Sequence, residues 1–131
     1  AALMDAVNRA PATGGTWDTA AGETLMFQEP APAMPTSAIV AGDFNFTPAH
    51  PEYSPVCGMP GKHGRLATAE HLSDAWAAAG NGEEGGNSFP HEGRIDHVFV
   101  THDLAPRVKS ARIGYGVEAS DHWPVFVAFD L

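Results

Sequence analysis

Arg94-Ile95-Asp96-His97-Val98-Phe99-Val100 is the stretch on which the fold turns. Ile95, His97 and Phe99 occupy one register and Asp96, Val98 and Val100 the other, which is the two-residue period of a β-strand. A carboxylate inside such an apolar run loses its hydration, so Asp96 requires a fixed partner. Two are available. Arg94, two residues back, shares its strand parity and offers a plain ion pair. His122, far along the chain, offers a ring N–H, and accepting it would set the imidazole tautomer and leave the other nitrogen free.

Outward from this strand the chain divides into short elements. Toward the C-terminus, a strand is predicted within Ala111 to Glu118, and Pro124 to Phe129 forms another directly after Ser120-Asp121-His122. Toward the N-terminus, Gly80 to Gly93 reads as a glycine-rich connector. Leu66 to Ala79 reads as a helix with Leu72, Ala75, Trp76 and Ala79 on one face and Gly80 at its end. Pro48 to Gly61 reads as loop, although Pro51-Glu52-Tyr53 can open a helical turn. Ser37 to Asp43 is an apolar run predicted as a strand buried on both faces. Thr13 to Pro35, with its Gly and Pro residues, reads as a long irregular loop. Leu3, Met4 and Val7 mark the last turns of an amphipathic helix that enters from upstream and ends before Pro11.

The 131 residues suffice for one domain, and with 44% apolar and 18% charged residues they describe a folding chain rather than a disordered tail. Seven Lys and Arg against 16 Asp and Glu give a net charge of −9, which opposes sequence-blind adhesion to nucleic acid without excluding a nuclease. No apolar run approaches the roughly 20 residues of a membrane span. Cys57 is the one cysteine, so no internal disulfide forms; this favours a reducing, cytoplasmic setting.

Three polar clusters sit at the edges of apolar runs. Asp43 and Asn45 are two apart, so if the strand extends that far a carboxylate and a carboxamide share one face. The carboxylate can bind a divalent cation or take a proton from water, and the amide can donate to a phosphate oxygen. The plainer alternative is a strand-end turn in which both bond to local backbone. Asp96 is the second cluster. Asp121 and His122 are the third: in extended backbone their side chains diverge, serving either two separate roles or mere surface polarity. Other groups take structural readings. His50, His63, His71, His91 and His102 show no zinc spacing. His97, Trp76 and Trp123 read as packed or rim residues. Lys62, His63 and Arg65 read as solvated charge, and the Gly82, Gly85, Gly86 stretch as connector rather than phosphate cradle.

Gly42-Asp43-Phe44-Asn45, then Arg94 to Val100, then Ser120-Asp121-His122-Trp123-Pro124-Val125, in that order, resemble the closing motifs of the endonuclease/exonuclease/phosphatase superfamily. Asp74-Ala75-Trp76 and Ser88-Phe89 resemble the segment between the first two motifs. The resemblance implies an α/β (α+β) fold, part of a four-layer α/β/β/α sandwich of two packed sheets flanked by helices. This chain would supply mainly the C-terminal sheet and its helices. Residues 1–131 would form the C-terminal portion of one domain, with 13–35 an insertion and an N-terminal portion lying outside the chain.

It further implies a hydrolase of phosphate esters that depends on Mg²⁺ or Mn²⁺. Asp43 would orient or deprotonate water, Asn45 contact the phosphate, and Asp96 orient His122. His122 would polarise the scissile group, with Asp121 and Asp43 on the metal side. The family's earlier Asn and Glu have no counterpart here, so the metal site would be completed by the N-terminal half and the isolated segment would be inactive. The expected substrate is a phosphodiester or phosphomonoester of a small molecule or lipid headgroup. A DNA or RNA nuclease, or a non-catalytic binding module on the same scaffold, are the alternatives.

Overall fold

In the computed structural model, which describes residues 2–13, 34–62, 64–65 and 68–131, the alternation around Asp96 becomes the central strand of a sheet. The elements in chain order are α1 (Ala2–Thr13), β1 (Ile39–Asp43), α2 (Tyr53–Cys57), β2 (Pro60–Gly61), β3 (Gly64–Arg65), β4 (Ser73–Asp74), α3 (Ala77–Asn81, a wide π-type turn), β5 (Asp96–Val100), β6 (Val108–Ile113) and β7 (Val125–Phe129). A 3-10 turn over Ala105–Arg107 leads into β6. The fold is mixed α/β with antiparallel pairing: one sheet runs β1-β5-β4, β6 pairs with β7, and β2 pairs with β3.

The alternation of β5 divides its side chains between two environments. His97 and Phe99 are fully buried, while Asp96 and Val98 are half-buried on the opposite face. Phe99 meets Met4, Tyr53, Cys57 and Leu72 in the core, against which Leu3, Val7, Val40, Phe44, Phe46 and Val56 pack. Phe44 approaches Phe99 edge-on at 4.9 Å, and the His97 ring stacks on Phe99 at 5.0 Å. Such offset and edge-on contacts suit the ring quadrupoles.

Several elements differ from what the sequence suggests. The N-terminal helix continues through Pro11 to Thr13. Proline there forgoes the bond its N–H would give to the Val7 carbonyl, and the helix ends two residues later. The strand from Ile39 is not buried on both faces; of its residues only Val40 is even half-buried. Among the described residues β1 is the sheet's edge, paired only with β5. Tyr53–Cys57 is a short helix rather than loop, because Tyr53 and Cys57 are drawn into the core.

The helix expected over Leu66 to Ala79 is largely absent. Residues 66 and 67 lie outside the described set, Ser73 and Asp74 pair with Val100 and Phe99, and only the end of the segment is helical. Asp74 explains the change: its carboxylate is buried beside partners on β5 and α2, and strand pairing delivers it there where a helix would not. The expected face still packs, with Leu72 and Ala75 buried. The strand expected within Ala111 to Glu118 instead begins at Val108 and stops at Ile113, because the chain turns at Tyr115 and Gly116, whose φ is 84°. The irregular reading of 13–35 falls almost wholly on residues 14–33, outside the described set.

Candidate active site

Asp96 opens β5, and the antiparallel register sets it directly across from Asp43 at the end of β1. Cross-strand neighbours of like charge repel, so a cation near both is favourable. His122 arrives from the segment before β7 and puts Nδ1 2.8 Å from Asp96 Oδ2. A carboxylate only accepts, so Nδ1 carries the proton, and Nε2 is the nitrogen left to meet another group. Of the two partners open to Asp96, it is therefore His122 that pairs with it.

Arg94 goes elsewhere. It precedes the first residue of β5 and follows Gly93, whose φ is 93°, so strand parity does not govern its direction. Its Nη1 donates to Asp74 at 2.5 Å and to His97 Nδ1 at 2.8 Å, while Nη2 and Nε donate to the carbonyls of Glu83 and Gly85.

The His122 imidazole is held above its ordinary pKa. The Asp96 hydrogen bond is the main cause; burial opposes it, and the charges of Asp96, Asp121 and Asp43 add to it. The ring also packs on Phe89 at 4.9 Å between centroids. Its backbone is fixed by Ser120, whose Oγ accepts the His122 N–H at 3.1 Å and donates to Asp121 at 3.2 Å. Asp96, Ser120 and His122 border an open cavity of about 420 Å³ with Gly42, Val98 and Trp123 also on its wall.

At Asn45 the strand-end turn, the plainer of the two readings, is what forms. The strand ends at Asp43, Asn45 adopts a left-handed φ of 54°, and its backbone N–H donates to Asp43 Oδ1 at 2.8 Å. This is the strand-end turn, with the carboxylate bonded to the backbone two residues on, rather than two side chains on one strand face. Asp43 and Asn45 both remain exposed.

Asp43 and Asp121 offer hard oxygen donors of the kind Mg²⁺ and Mn²⁺ prefer. Among the described residues, however, no three His, Cys, Asp or Glu side chains come close enough to hold a metal. The described groups do not by themselves make a complete cation site.

A second polar centre, which the sequence reading leaves without a role, lies on the opposite face of β5. Tyr53 Oη donates to Asp74 Oδ2 at 2.6 Å, Arg94 donates to the same oxygen, and Trp76 N–H donates to Asp74 Oδ1 at 2.9 Å. Arg94 can only donate, so His97 Nδ1 accepts from it, and His97 Nε2 donates to the Phe46 carbonyl at 2.8 Å. His97 is thus a packed residue, as its alternation suggests. Burial alone would raise the Asp74 carboxyl, but the basic and donor groups around it hold it down at about 2. Burial and the facing carboxylate push the Tyr53 hydroxyl far above its usual range, keeping it a donor. Burial also pushes the neighbouring Cys57 thiol up to about 12. The signal in the sequence was Asp74 itself, a carboxylate between Leu72 and Ala75-Trp76, which needed a partner by the same reasoning as Asp96.

No curated protein and no solved structure matches the chain. A family profile does, described as Endonuclease/Exonuclease/phosphatase family and aligned over residues 6–122. That span takes in the Asp43 turn, the Asp96 strand and His122 together, and the chain belongs to the endonuclease/exonuclease/phosphatase family.

Proposed function

We propose that this chain carries the acid and imidazole groups of a phosphate-ester hydrolase that works by in-line attack of water. The observation that supports it is the 2.8 Å contact between Asp96 and His122 beside Asp43, at the rim of one cavity. In this reading Asp96 fixes the tautomer of His122, so that the Nε2 edge faces the scissile phosphoryl group. The raised pKa favours the charged ring, which donates to a phosphoryl oxygen as negative charge gathers there. Asp43 orients the attacking water and takes its proton. Asn45 donates from its carboxamide to a second phosphoryl oxygen.

Asp121 and Asp43 are the donors this chain would offer to Mg²⁺ or Mn²⁺. Two carboxylates fall short of the six or so ligands such ions take, so each step here is assigned to the protein's own groups. The missing donors would come from an N-terminal portion of the same domain, of which residues 1–131 form the C-terminal portion and 13–35 an insertion. The net charge of −9 favours a small or lipid-headgroup phosphate ester over a nucleic acid.

The test is turnover in the intact protein supplied with Mg²⁺, on small phosphomonoesters, small phosphodiesters and plasmid DNA. His122→Ala or Asp43→Ala lowers turnover at least about 100-fold, the scale of losing one preorganised electrostatic group. Near-normal rates in a folded, metal-supplied variant reject the assignment. Nicking of plasmid with no turnover of the small esters replaces the substrate class with nucleic acid.

A further inference from the structure

Asp96 and His122 lie in different sheets. Asp96 opens the central strand of β1-β5-β4, whereas His122 precedes β7 of the β6-β7 pair, and among the described strands no hydrogen-bonded ladder joins β5 to β7. Sheet pairing therefore does not set the distance between the two side chains.

Ser88 spans that gap. It is fully buried in the connector before β5. Its Oγ accepts from the backbone N–H groups of Ile95 at 3.1 Å and Asp96 at 3.0 Å. Its carbonyl accepts from the Trp123 N–H at 2.7 Å, and its own N–H donates to the Gly93 carbonyl at 3.0 Å. Phe89, the next residue, lays its ring against His122. One buried residue thus holds the backbone of Asp96 through its hydroxyl and the backbone beside His122 through its carbonyl.

We propose that Ser88 is a positioning residue that sets the contact between Asp96 and His122. The inference rests on the reading of that pair as reactive, yet the contact itself can be observed without turnover. Removing the hydroxyl leaves a buried N–H at Ile95 and a half-buried one at Asp96 without their acceptor, and the start of β5 shifts to find another. A displacement of about 1 Å at reacting groups can cost about 100-fold in rate.

The experiment compares Ser88→Ala and Ser88→Thr in the intact protein by proton NMR and by kinetics on a hydrolysed phosphate ester. The parent shows a downfield His122 Nδ1–H resonance sheltered by Asp96. In Ser88→Ala that resonance is broadened or lost and kcat falls about 10- to 100-fold with KM nearly unchanged; Ser88→Thr, which keeps the hydroxyl, restores both. A folded Ser88→Ala protein with the parent resonance and parent kcat overturns the proposal. If Ser88→Ala does not fold, Ser88→Cys supplies a weaker acceptor: a weakened resonance supports the proposal, and the parent resonance overturns it. Should His122→Ala leave turnover intact, the reactive reading fails while the resonance still reports on Ser88.

Discussion

Asp74→Asn separates charge from shape at the buried polar centre, and its cost can be worked from two directions. The Asp74 and Arg94 side chains are 2% and 1% exposed, so solvent screens neither. Burial would raise the Asp74 carboxyl, but its partners hold it at about 2 against an ordinary 3.8. At about 1.4 kcal/mol per pH unit, that difference is worth about 2 kcal/mol. Breaking a buried pair while leaving its partner charged typically costs about 3–5 kcal/mol. The asparagine exceeds the lower figure because one edge of Asp74 accepts from Trp76 and the other from Tyr53 and Arg94. Its NH₂ must then face a donor.

The expected loss is therefore about 2–5 kcal/mol, out of a total stability of about 5–15 kcal/mol. Urea unfolding at pH 7, extrapolated linearly to water, measures it. The carboxyl is depressed on folding, so its contribution is complete above about pH 4 and disappears as pH falls through about 2. The gap between parent and variant closes over that window. In a double-mutant cycle with Arg94→Met, the two losses are strongly non-additive. The double variant stays below the parent, because His97 Nδ1 and the Glu83 and Gly85 carbonyls lose their donor. A loss under about 1 kcal/mol at pH 7, or a gap that persists undiminished to pH 2, refutes the account.

Two further outcomes follow from the geometry. If charged His122 donates to the phosphoryl group, kcat declines as pH rises through the elevated imidazole pKa. Asp96→Asn removes the main cause of that elevation and moves the alkaline limb of the pH–kcat profile downward; an unmoved limb would count against the charged form. Gly86 has a φ of 70°, and a Cβ there would lie 2.4 to 2.7 Å from the Trp76 ring. Gly86→Ala should cost about 2 kcal/mol or more in urea unfolding and alter Trp76 fluorescence, and parent-like stability with an unchanged spectrum would contradict that packing.

Much of this was legible in the sequence where the signal is local. The alternation at Ile95 to Val100 gives β5, and the apolar runs at Ile39 and Val125 give β1 and β7 within a residue or two. What stayed hidden is non-local. Nothing near Asp96 tells whether Arg94 or His122 meets it, because that depends on where a segment 26 residues away folds back. The alanine-rich segment before Gly80 reads as helix on propensity and apolar spacing, yet a buried carboxylate at Asp74 overrides both by requiring a strand position beside Arg94. Asn45 follows the same logic in reverse: the period-two reading fails because the Asp43 carboxylate turns the chain by bonding to its backbone.

The two polar centres are tied together by a single strand. Asp96 and His97 are consecutive in β5, so the pleat sends Asp96 toward His122 on one face and His97 toward Arg94 and the Phe46 carbonyl on the other. Sliding β5 by one residue against β1 would exchange the faces, burying a carboxylate beside Phe44 and Phe46 and exposing His97 and Phe99. The interlock of Tyr53, Asp74, Arg94 and His97 penalises that slip far more than an all-apolar face would, since each member would lose a buried partner. The network behind β5 therefore fixes the register that aims Asp96 at His122, and it reaches that pair through His97, the residue after Asp96. Breaking it with Asp74→Asn should loosen the Asp96–His122 contact as well as the fold, and the His122 Nδ1–H resonance should weaken under conditions where the variant is still mostly folded. A parent-like resonance in that folded variant would show that the two faces of the strand are held independently.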